Sequence, residues 1–143
     1  VYWKDLDFII VDMPPGTGDT QMTFVQEIKM DGVIIVSTPQ EVALIDVKRG
    51  IRMFDKFQVK ILGLVDNMSY FIGDDGKKYS IFGEGGVKKT AEEFKKDFLG
   101  QIPINIEVGK TGDQGKPIVE ALPDHEISKI YLELANRIKL KYS

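Results

Sequence analysis

Cysteine is absent from the 143 residues, and histidine occurs once, at His125. Without cysteine there is neither a disulfide framework nor a thiolate metal site, so any bound metal has to rely mainly on oxygen ligands. A long apolar run is missing too: none approaches the ~20 residues that a membrane span needs. No signal peptide opens the chain, and the expectation is a soluble, cytoplasmic protein with no membrane partner. Nor is there an excess of positive charge; with a formal net charge of −3, nucleic acid is not an expected partner. What is present, 43% hydrophobic residues over this length, suits a single globular domain with a sizeable core. The chain begins at Val1 and reaches a predicted core strand within its first ten residues, as the later part of a longer protein would.

The stretch that organises the rest is Asp7 to Asp19, DFIIVDMPPGTGD. Phe8 to Val11 is short, apolar and largely β-branched, which predicts a buried parallel strand. Asp12 then falls at the strand's carboxyl end, where open α/β sheets place their ligands. Pro14 and Pro15 end the ladder, while Gly16 and Gly18 permit positive φ or close approach of another group. Such a loop can present N–H groups to a phosphate, although a strand ending in a plain tight turn has the same ingredients.

A helix is predicted over Thr20–Lys29, with Asp19 as its N-cap. Asp31-Gly32 turns the chain into a second buried strand, Val33–Val36. Ala43, Val47, Ile51 and Phe54 follow at helical spacing, and Lys48, Arg49 and Arg52 read as a solvent-facing charged face. A third strand, Ile61–Val65, leads into Asp66-Asn67-Met68-Ser69. Asn67 is either a turn former or an amide able to read a purine edge as donor and acceptor together. Beyond it, residues 70–82 predict a β-hairpin around Gly73-Asp74-Asp75-Gly76. Val87, Ala91 and Phe94 mark another helix, and Phe98–Ile102 a short strand that Pro103 stops. Gly109-Lys110-Thr111 is not a phosphate loop, because Ile104 stands where its first glycine belongs. Ile127, Ile130, Tyr131, Leu134 and Ile138 form the stripe of a last helix started by Pro123 and Asp124, with His125 exposed in its first turn.

DMPPGTGD, DNMS and SYFI…IFGEGG together resemble the Mrp/ApbC family of iron-sulfur cluster carriers, deviant P-loop ATPases related to MinD and ParA. The resemblance covers essentially the whole chain but only the later part of the family's domain. It implies an α/β fold, a partial P-loop NTPase-like sheet, mostly parallel, with flanking helices, and a single domain over residues 1–143. It also implies ATP and Mg²⁺ as cofactors. Asp12 would help to hold Mg²⁺ and Gly16 would sense the γ-phosphate. Asn67 would contact adenine, with Pro103 and Ile104 beside it through backbone and apolar surface. Iron-sulfur apo-proteins and a second copy of the chain are the implied partners. The pair of cysteines that the resemblance would place on the hairpin is absent: glycine stands at both positions, Gly73 and Gly76. Glycine cannot ligate iron, so the usual cluster site is missing.

The Gly-rich loop ending in lysine that cradles phosphates is also missing from these residues, so the isolated chain is expected not to hydrolyse ATP. In folds of this family the strand that carries that loop lies between the counterparts of Phe8–Val11 and Val33–Val36. The expectation is therefore either direct pairing of those two strands or association with a second copy. Two other functions share these residues: a MinD- or ParA-like positioning ATPase, and a non-catalytic interaction module derived from the fold.

Overall fold

The computed structural model describes residues 4–142. Ten elements follow in order: α1 (Asp19–Glu27), β1 (Val33–Ser37), α2 (Glu41–Lys56), β2 (Ile61–Ile72), β3 (Lys78–Tyr79), α3 (Gly86–Glu93), β4 (Phe98–Ile104), α4 (Ile106–Asp113), α5 (Ile118–Ala121) and α6 (Glu126–Lys139). The sheet centres on β2, which pairs in parallel with β1 on one edge and β4 on the other. At its far end it also takes the short antiparallel β3. The result is a mixed α/β sheet, mostly parallel, with helices on its faces, as expected.

Burial explains which predicted elements formed. Leu44, Val47 and Ile51 on α2 and Val87 and Ala91 on α3 close over Leu64 on one face of the sheet. On the other face Ile130, Tyr131 and Leu134 of α6 pack on Val65, Leu99 and Ile102. Of the residues expected to mark the inner stripe of α2, Val47 and Ile51 are buried, whereas Ala43 and Phe54 are only half-buried and Leu44 and Met53 complete the core. The loop after β4 is secured by Asn105, whose side chain accepts the Glu107 N–H at 2.9 Å to cap α4. Gly109-Lys110-Thr111 lies inside that helix, with the Thr111 hydroxyl donating to the Glu107 carbonyl at 2.8 Å, so it forms no phosphate loop.

Five expectations need correction. Phe8–Val11 forms no strand and pairs with nothing; Ile10 is 93% exposed. A continuous apolar run needs neighbours on both edges and cover on both faces, and the described residues supply neither. Direct pairing of that run with β1 is accordingly not seen, and β1 pairs with β2 alone. The cap of α1 is Gly18, with Asp19 as the first helical residue, favourably placed at the positive end of the helix. β2 does not stop at Val65 but continues to Ile72, and β4 runs through Pro103 to Ile104. β4 is an edge strand among the described elements, and an edge tolerates a residue without an N–H. His125 is half-buried and caps α6: its Nδ1 accepts the Ile127 N–H at 3.2 Å.

Candidate functional site

The carboxyl end of the sheet is built by strands of unequal length. β1 ends at Ser37, opposite Asp66, and β2 carries on past it. Asn67 is thus the first residue of β2 beyond the end of β1, half-buried, and in register with Ile102 of β4. The two strands then fall out of step between Asn67 and Phe71, and Phe71 meets Ile104. Met68 sits in this bulge with φ of 53°, a left-handed conformation uncommon outside glycine. Ser69 follows, buried, its hydroxyl donating to the Ile102 carbonyl at 3.2 Å. Asn67, Pro103 and Ile104 are therefore brought together by strand register, Pro103 buried and Ile104 half-buried.

Asp12 and Gly16 belong to a different part of the molecule. Both are exposed in the unpaired stretch ahead of α1, and Gly16 has φ of +100°. That stretch is tied to α1 by the buried Gln21, whose Nε2 donates to the Pro14 carbonyl. No strand pairing joins it to β2 or β4.

Asp66 is a residue of this edge that the sequence motifs do not single out. It is 1% exposed, its Oδ2 accepts a 3.3 Å hydrogen bond from Gln101, and its Oδ1 has no partner. Burial pushes its carboxyl above the usual range, and the Gln101 amide only partly offsets this. A signal does exist in the sequence: a carboxylate directly after the buried run Ile61–Val65 has to be paired or neutral.

Fit to a nucleotide and its metal can be tested on these residues. A purine needs an apolar surface and an amide able to donate and accept, and the Asn67–Pro103–Ile104 edge has both. A Mg²⁺ ion takes one or two carboxylates and completes its shell with water and phosphate oxygens. Asp12 can supply one, and no group of three or more acidic, histidine or cysteine side chains gathers among the described residues.

The family model described as NUBPL iron-transfer P-loop NTPase matches residues 1–139. An iron-sulfur cluster carrier protein from Salmonella typhimurium is 47% identical over 95% of this chain and 37% of its own length. The mitochondrial iron-sulfur protein required for NADH dehydrogenase from Arabidopsis thaliana is also 47% identical, over 96% of this chain and 44% of its own. The chain thus spans less than half of the curated relatives it matches. Among solved structures, a nucleotide-binding protein in complex with ADP from Archaeoglobus fulgidus aligns at 39% identity and a TM-score of 0.64, over 73% of this chain and 43% of that one. The cell-division ATPase MinD of Pyrococcus furiosus aligns at a TM-score of 0.72 and 22% identity over 96% of this chain and 53% of its own, a likeness of fold alone. On sequence and fold together, the chain belongs to the family of NUBPL iron-transfer P-loop NTPases.

Proposed function

We propose that these residues form the adenine-side part of a nucleotide-binding protein that serves iron-sulfur cluster carriage or assembly. The observation that carries the reading is Asn67, half-buried just where β2 outruns β1, with Pro103 and Ile104 alongside. Relatives named as iron-sulfur cluster carriers, and a relative solved with ADP, support it. In this reading Asn67 donates to and accepts from the adenine edge, and Ile104 offers apolar surface to the ring. Asp12 holds Mg²⁺ through water, and the loop at Gly16 approaches the terminal phosphate. The bound ion would neutralise phosphate charge; the chain's own contribution is to place the base and to present one carboxylate. The working protein pairs with a second copy and delivers its cargo to apo-proteins in the cytoplasm.

Two experiments test this. Titration of the isotopically labelled chain with ADP is expected to shift the amide resonances of Asn67, Ile102 and Ile104, with GDP giving smaller changes and Asn67→Ala abolishing the difference. Equal shifts with both nucleotides, or none near Asn67, would remove adenine from the assignment. Disruption of the gene in its host is expected to lower the activity of iron-sulfur enzymes, with recovery on return of the intact gene; unchanged activity would remove the cargo.

A further inference from the structure

An iron-sulfur cluster is held by thiolates, with imidazole as an occasional substitute. This chain has no cysteine, and its single histidine already spends Nδ1 on the cap of α6. One imidazole nitrogen remains, too little to hold a cluster. The hairpin between β2 and β3 is where the resemblance would place the cysteines, and it is closed by different chemistry. Asp75 Oδ1 accepts the Lys77 backbone N–H at 3.0 Å, and Asp75 Oδ2 accepts the Tyr79 hydroxyl at 2.8 Å. Gly73 and Lys77 complete the turn through a 3.0 Å backbone hydrogen bond. These bonds hold the Asp75 carboxyl below its usual range and push the Tyr79 phenol up.

The same lock fills the space around Gly73. A Cβ built there would stand 2.8 Å from Tyr79 Cε2 and 2.9 Å from Asp75 Oδ1, inside the distance that carbon atoms tolerate. Gly76 has open space but φ of +74°, a conformation that strains any other residue. We propose that the hairpin of residues 71–79 is shut by a carboxylate–phenol lock that excludes a side chain from position 73, so that this chain holds no cluster through its own hairpin. The inference rests on membership of a cluster-handling family. It follows that any cluster reaching this protein is ligated by residues of another molecule.

The test is anaerobic reconstitution with ferrous iron and sulfide, followed by desalting and measurement of bound iron, acid-labile sulfide and visible absorbance. The wild-type chain is expected to retain iron only at the level of the blank. Gly73→Cys/Gly76→Cys is expected to retain at least fivefold less than the same pair combined with Asp75→Ala and Tyr79→Ala, which opens the space. Circular dichroism confirms that all variants keep the wild-type helix content. Visible cluster absorbance in the wild type, or equal loading of the two cysteine variants, would overturn the proposal. A second readout concerns the lock directly. The Tyr79 ring resonances of the wild type should titrate above the ordinary tyrosine range, and Asp75→Asn should bring them down; an unchanged titration would overturn the lock. None of these outcomes bears on the host phenotype, so this inference and the proposed cargo function fail separately.

Discussion

Residues 8–11, Phe-Ile-Ile-Val, and residues 61–65, Ile-Leu-Gly-Leu-Val, carry the same kind of side chain in similar short runs. In the fold Leu64 is fully buried, while Ile10 is 93% exposed. The difference lies in the neighbours and not in the composition. β2 has β1 and β4 on its edges, α2 and α3 over one face and α6 toward the other. Residues 8–11 have no strand partner, and their aromatic contact is the edge-on approach of Phe8 to Tyr142 at 6.3 Å. A hydrophobic run supplies the drive for burial, but a parallel strand also needs a ladder for its backbone and helices for its faces.

The largest expected effect probes the buried member of the pair. Leu64→Ala removes a side chain enclosed by α2, α3 and the sheet, and about 2–5 kcal/mol of stability should go with it. Denaturant unfolding of the variant beside the parent measures this. Amide exchange sharpens the contrast: Leu64 and Val65 should exchange only through global unfolding, and residues 8–11 at rates close to those of an unfolded chain. Protection of residues 8–11 comparable to that of β2 would erase the distinction between the two runs.

A smaller effect is expected at Asp66, where the buried strand passes into the site. Its carboxyl is raised from the ordinary value of 3.8 chiefly by burial, so the folded state holds this proton more tightly than the unfolded chain does. The contribution is therefore fully favourable below the unfolded value and is lost as pH rises from there through the raised folded value. The loss amounts to about 1.4 kcal/mol for each tenfold by which folding tightens the hold on the proton. Asp66→Asn has no proton to lose. Its stability relative to the wild type should improve steadily from pH 4 toward neutrality, as read from melts across that range. A constant difference would mean that Asp66 is solvated or paired in solution.

Most of the sheet and its helices was legible because the periodicity of each element agrees with its burial. Val47 and Ile51 on α2, Val87 and Ala91 on α3 and the stripe of α6 all face the core. Element ends were less legible. Nothing local in Asp66-Asn67-Met68-Ser69 reveals that β4 is long enough to carry β2 on to Ile72, since that extension is a property of the pairing. The register that gathers Asn67, Pro103 and Ile104 could not be read from residues more than thirty apart. The lock of Asp75 and Tyr79 was hidden for another reason: its members look like ordinary turn and strand residues until the turn brings carboxyl and phenol together. Asp12 and Gly16 were the plainest motif in the sequence, yet their stretch lacks the pairing that would fix their position.

The smallest expected effect tests the exposed run. Ile10→Ser replaces an apolar side chain that already lies in water, so folding stability should change by no more than about 0.5 kcal/mol. What should change is the surface. Leu6, Phe8, Ile9, Ile10 and Val11 are all exposed, and clustered apolar exposure of this kind favours association and binding of hydrophobic dyes. The variant should bind less of such a dye and stay monodisperse at higher concentration, as light scattering would record. A loss of more than about 1 kcal/mol would instead mean that residues 8–11 pack against something in solution. The contrast with β2 would then be one of degree, set by how much cover each run finds.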